Sequence, residues 1–298
     1  MRNKYLYIIA FFSILLLSLH SCRNKHTETR TVSVSILPQK YFIEKIAGDY
    51  VKVNVMVPPG MSPATCDLST EQLKKLYDSD LCFTVGYLPF ELTHLYPVLT
   101  SRSDIRLINH SEGIDLIDGS CGHLHAHAAE DHSGGHEGVD PHIWLSPRYA
   151  RDMASTVLKV LSEQYPEQQE QFARNYQGLL VEIDAVATQA DSVLSGKQHK
   201  SFLIYHPALT YFAKDYGMEQ ISIEDEGKEP NPAHLKKIID SAKEKDIRII
   251  FIQSQFDVNN AKSIAKEIGA TVIPIDPLNE NWTAEMNRLI EIFNDNLN

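Results

Sequence analysis

One stretch, residues 167–194, restricts the fold more than any other. Within it Phe172, Tyr176, Leu179, Ile183, Val186, Ala190 and Val193 follow one another at spacings of four and three. That period puts all seven on one side of a single helix of about 28 residues, roughly 42 Å long at 1.5 Å per residue. A stripe of that length needs an equally long apolar partner. A second copy in a coiled-coil dimer would supply one, and so would two α/β halves lying along the helix in the same chain. The small Ala190 and the character of both flanks favour the second arrangement.

Each flank alternates strands with helices. Residues 32–36, 51–57, 81–85 and 105–108 read as strands before the stripe, and residues 201–205, 220–223, 248–252 and 271–275 after it. Residues 39–47 read as a helix stopped by Gly48, and residues 90–96 as a helical segment. Ser69 and Gln72 have capping-box spacing, and Ser146 with Pro147 fits N-cap and N1. Gly217 and Gly269 fit helix C-termini, and Asn231 with Pro232 a helix start. The order predicts an α/β protein of two similar lobes, each a mostly parallel sheet with flanking helices, joined by one long backbone helix. The expected boundaries are 31–165 for the first lobe, 166–196 for the linking helix and 197–298 for the second lobe.

The N-terminus points to the envelope. Arg2 and Lys4 precede an apolar run over residues 5–19, too short for a comfortable membrane span and typical of a secretory signal. Leu19, His20, Ser21 and Cys22 resemble a bacterial lipobox, which predicts a signal peptide over 1–21, acylation of Cys22 and a polar tether over 22–30. The chain is therefore expected in the bacterial cell envelope, on the periplasmic or outer-surface side, lipid-anchored and monomeric. Its formal charge of −11, from 28 basic and 39 acidic side chains, repels nucleic acid and favours cations. Besides Cys22 there are Cys66, Cys82 and Cys121, without CxxC spacing. Cys82 sits in an apolar run and reads as a buried small hydrophobe. Cys66 and Cys121 could form one bridge, which sequence alone does not decide.

Between residues 118 and 139 lies a tract rich in Gly, Ala, Asp, Glu and His. It holds His123, His125, His127, His132 and His136, and His142 follows within an Asp-Pro-His turn. Neutral imidazole nitrogens suit zinc and its neighbours, so a dense run beside a fixed histidine points to handling of such a divalent cation.

These motifs resemble the cluster A-I solute-binding proteins, the metal-binding lipoproteins that serve zinc and manganese ABC importers. The resemblance covers nearly all of the chain from Cys22 onward. It includes VKVNVMVPPG, the His-rich tract, DPHIWLSP, the long helix, FLIYHPALTYFAKDYGM, GKEPNPAHLKKII, RIIFIQSQF and VIPIDPL. It implies a metal held in the cleft between lobes and passed to a permease and its ATPase. Carried over residue by residue, it implies His142, His206 and Asp276 as ligands. Read singly, each has a plainer alternative: a turn histidine, a satisfied core histidine and a turn cap.

A fourth ligand of the family does not carry over. Where a histidine is expected after Pro63, the chain has Ala64, which has no donor atom. Zinc prefers four ligands, leaving as candidates Cys66, a histidine of the tract, Asp67, Glu91 or water. A tract histidine or water suits reversible delivery better than the Cys66 thiolate. The expected cargo is Zn2+, ahead of Mn2+, because the tract favours a nitrogen-seeking metal. A secreted zinc hydrolase is the competing class, and an adhesin or storage protein a third. The sequence has neither an HExxH helix nor a GxSxG elbow, so the expectation is a binding protein and no enzyme.

Overall fold

The computed structural model describes residues 30–119, 138–225, 227–256 and 258–297. The signal, the tether up to residue 29, Cys121 and the five tract histidines lie outside the described residues. In chain order the first lobe comprises β1 (Thr31–Val34), α1 (Leu37–Ala47), β2 (Lys52–Val55), α2 (Thr70–Tyr77), β3 (Leu81–Thr84), α3 (Tyr96–Leu99) and β4 (Arg106–Asn109). Next come α4 (Pro147–Gln164) and the long α5 (Gln169–Leu194). The second lobe comprises β5 (Ser201–Ile204), α6 (Thr210–Asp215), β6 (Glu219–Ser222), α7 (Pro232–Glu244), β7 (Ile249–Gln253), α8 (Val258–Ile268), β8 (Thr271–Ile275) and α9 (Trp282–Asn296).

Both sheets are parallel and four-stranded, in the orders β2-β1-β3-β4 and β6-β5-β7-β8. The inner strands explain themselves by composition. Every residue of β3 and β7 is buried, as expected where helices cover both faces of a parallel sheet. The helix ends follow the local signals. Ser69 Oγ accepts from Gln72 N while Gln72 Oε1 accepts from Ser69 N, a reciprocal capping box. Ser146 Oγ caps α4 through Tyr149 N, and Asn231 Oδ1 caps α7 through Ala233 N and His234 N. Gly217 and Gly269 take φ of 62° and 71°, the left-handed C-terminal conformation.

The expected helical segment over residues 90–96 differs in detail. Glu91–Leu95 forms a π-helix, with Tyr96 N donating to Glu91 O, before α3 begins. Pro97 is the reason. Its ring would meet the carbonyl four residues back in a regular helix, and the wider turn relieves the clash.

The stripe of α5 is satisfied within the chain. Phe172, Leu179, Ile183, Val186, Ala190 and Leu194 are buried, with Tyr176 and Val193 half-buried against the same core. The helix packs against α1 and α4 on one side and α9 on the other, so it serves both lobes. One hydrophobic cluster runs from β1 and β3 through α4 and α5 to Phe202, Phe251 and Phe293. A smaller one, including Leu203, Ile250 and Ile264, fills the opposite face of the second sheet. Among the described residues no helix is long and apolar enough to cross a membrane.

Candidate metal centre

In open parallel sheets ligands gather beyond the carboxyl ends of the strands, where the strand order reverses. In the second lobe that point lies between β5 and β7. His206 stands just past β5, Ser254 and Gln255 past β7, and Asp276 directly past β8. In the first lobe Ile36 and Leu37 follow β1, and Pro58, Pro59 and Gly60 follow β2. These residues, with Ser254, Gln255, Asp276 and Leu278, line one pocket drawn from both lobes.

His142 reaches the interface from a turn instead of a strand. The Asp118–Val139 bridge leads into Asp140, Pro141 and His142, followed by the 3-10 turn Ile143–Leu145 and then α4. Asp140 Oδ1 accepts from both His142 N and His142 Nδ1, each at 2.8 Å. Burial pushes the Asp140 carboxyl up, but attraction to His142 and hydrogen bonds from His142 and Thr210 outweigh it and hold it below its ordinary value. Tyr211 Oη donates to Asp140 O at 2.7 Å, tying this turn to α6 of the second lobe.

His206 is held in the same manner. Its Nδ1 lies 2.9 Å from Glu224 Oε1, on a carboxylate that is almost wholly buried. Its backbone exchanges hydrogen bonds with the Gln253 amide, and its ring stacks on Phe256 at 5.6 Å. The His142 and His206 rings are 5.1 Å apart between centroids and inclined by 70°. An ionised carboxylate only accepts, so a neutral imidazole on it carries its proton on Nδ1 and leaves its lone pair on Nε2. Metal-ligating histidines are commonly oriented by such a carboxylate partner.

Asp276 lines the pocket. Its N donates to Glu285 Oε1 at 2.9 Å, and its Oδ1 accepts from Leu278 N at 3.2 Å. Burial pushes its carboxyl up, Glu285 adds to this, and Arg288 opposes it. The structure thus brings His142 and His206 together and does not gather Asp276 with them. Among the described residues no three His, Cys, Asp or Glu side chains form a group able to hold a metal ion.

The candidates for the fourth place differ sharply. Ala64 is exposed. Cys66 is buried, its thiol donates to Asp67 O at 3.6 Å, and burial pushes that thiol up, so it favours the protonated form. Asp67 is exposed and lies 3.2 Å from His94 Nε2. Glu91 is fully occupied as a cap. Its Oε1 accepts from Val85 N, and its Oε2 from Gly86 N and Leu88 N. Cys82 is the expected buried hydrophobe, and burial pushes its thiol up.

Sequence reasoning passed over several residues. Asp140 was legible two positions before His142. Glu224, eighteen positions after His206, carried no signal. His110, directly past β4, is buried. Its ring stacks on Phe83, its Nδ1 lies 3.0 Å from Gln39 Nε2, and burial lowers its pKa to about 3.

A two-lobed α/β fold with strand ends of both lobes lining one pocket fits a solute-binding architecture. The family model described as "Zinc-uptake complex component A periplasmic" matches residues 32–298, and the chain belongs to that family. A crystal structure of ZnuA superposes with a TM-score of 0.80 at 32% identity, covering 90% of this chain and 99% of the other. A ZnuA deletion mutant with zinc bound gives 0.79 at 32% identity, covering 90% of this chain and 98% of the other. The zinc-binding lipoprotein AdcA of Streptococcus pneumoniae is 26% identical over 297 residues, 96% of this chain but only 58% of AdcA. The chain therefore spans little more than half the length of that relative.

Proposed function

We propose that this chain is a non-catalytic zinc receptor of the bacterial cell envelope. It captures Zn2+ in the interlobe cleft and delivers it to the permease and ATPase of an ABC importer. The observation that carries this reading is the pair of imidazoles from different lobes, 5.1 Å apart, each with Nδ1 on a buried carboxylate. His142 and His206 bind through Nε2, and Asp276 supplies the third donor from across the pocket. The fourth position falls to water or to a histidine of the tract over 118–139, in keeping with release to a transporter. Two nitrogens and one oxygen suit either metal, and zinc is favoured over manganese by the His-rich tract and the family.

Hydrolysis is the poorer reading because it needs a general base beside the metal-bound water. Asp140 and Glu224, the carboxylates nearest the imidazoles, are engaged on the histidines, and Glu91 on backbone amides. Cys22 anchors the monomeric receptor to the membrane.

The test is metal analysis of the mature domain with competitive zinc titration. His142→Ala and His206→Ala each remove a direct ligand and should weaken binding by about 100-fold or more, beyond the 10- to 100-fold loss typical of outer-shell changes. Unchanged affinity in both variants would refute the site.

A further inference from the structure

Asp276 is bracketed by a closed circuit of hydrogen bonds that crosses the lobe interface. Trp144 Nε1 donates to Pro277 O at 2.8 Å, and Trp282 Nε1 donates to Trp144 O at 2.7 Å. Trp282 is the first residue of α9, and one turn further on Glu285 accepts from Asp276 N. The path therefore runs from Trp144 to Pro277, back to Asp276, through Glu285 and the first turn of α9 to Trp282, and home to Trp144. Arg288 stiffens it, donating to both Glu285 oxygens and to Pro274 O at 3.0 Å. Both indoles are buried, where an unmade N–H bond is costly and a made one is directional. Trp144 also sits two residues past His142, and the two rings are 5.1 Å apart.

We propose that Trp144 is a positioning residue for metal capture. Its indole N–H ties the Asp276 turn of the second lobe to the His142 turn of the first and so sets the approach of the carboxylate to the imidazole pair. This rests on Asp276 being a ligand. The three donors come from two lobes and do not form one group as they stand, so Asp276 must still travel to the imidazole pair, and the tie to the His142 turn confines that travel. A carboxylate held only by its own lobe would have to be found by lobe motion each time. One tied to the His142 turn moves over a restricted range relative to that histidine. A positional error of an ångström is enough to weaken a coordination site.

The experiment is competitive zinc titration of the mature chain with a chelating indicator, alongside melting of the metal-free protein. Trp144→Phe should weaken zinc by about 10-fold, the lower end of outer-shell effects. Asp276→Asn should weaken it at least as much, and the double variant no more than Asp276→Asn alone, because both act on one contact. If Trp144→Phe fails to fold, benzothienylalanine at position 144 replaces only the N–H by sulfur in the same shape and reads the same quantity. Full affinity in a folded Trp144 variant, with Asp276→Asn impaired, overturns the positioning role and leaves the site standing. Additive losses in the double variant also overturn it, since Trp144 would then act elsewhere. An Asp276→Asn protein that binds as wild type overturns the ligand assignment and the positioning role together.

Discussion

The two lobes share one strand order but use their strand ends in opposite ways. In the second lobe the candidate donors His206 and Asp276 stand two residues past β5 and one residue past β8. In the first lobe the same places offer no free donor side chain. Ile36 and Leu37 follow β1, Pro58 and Pro59 follow β2, the turn after β3 is capped by Glu91, and His110 after β4 is buried. The candidate imidazole of the first lobe, His142, comes from a turn before a helix instead. Topology thus offers equivalent positions, and the side chains at each decide whether it serves stability or binding. Ala64, where the family resemblance implies a histidine, fits this division.

The sharpest way to break the comparison is Glu91→Ala. It strips three buried backbone N–H groups of their acceptor, each costing about 1–3 kcal/mol if left unmade. The metal-free protein should lose at least about 3 kcal/mol in denaturant unfolding, while the folded fraction binds zinc as wild type does. A large affinity loss with stability intact would mean that the first lobe's strand ends bind after all.

His110 gives the next effect, one of pH. Gln39 Oε1 accepts from Ser35 N and Ile36 N, so its amide N–H faces His110 Nδ1, and a proton there would set donor against donor. Burial lowers the folded pKa to about 3, below an unfolded value near 6.5. The unfolded chain therefore binds the extra proton first, and stability falls as pH drops from about 6.5 toward 3. Integrated to pH 5, this one group costs about 2 kcal/mol. His110→Gln should flatten that part of the stability–pH curve and leave zinc affinity at pH 7 unchanged.

Smallest is the orienting carboxylate of the second lobe. Glu224→Leu frees the His206 ring and should weaken zinc about 10-fold, equivalent to about 1.4 kcal/mol, whereas Glu224→Gln keeps an acceptor and should recover part of it. Equal affinity in both variants would show that Glu224 serves packing alone.

What was legible in the sequence was whatever depends on neighbours within about a turn. The stripe of α5, the caps at Ser69, Ser146 and Asn231, and the apolar inner strands are local patterns, and the structure contains each of them. Asp140 belongs with them, since a carboxylate two residues before a histidine is within reach by chain geometry. The π-turn before Pro97 was missed because a single proline shifted a hydrogen-bond register inside a segment of helical pattern.

The sequence by itself determined the α/β lobes, the helix that joins them and, through motif resemblance, the residues to watch. Only the tertiary structure decided what surrounds those residues. It placed Glu224 on His206, sealed His110 under Phe83, and closed a circuit between Trp144 and Trp282 across 138 positions of chain. The reason is range. Helix period and capping act within about four residues and leave a trace in composition, whereas a hydrogen bond between distant segments depends on how whole elements pack, and either partner alone carries no mark of it.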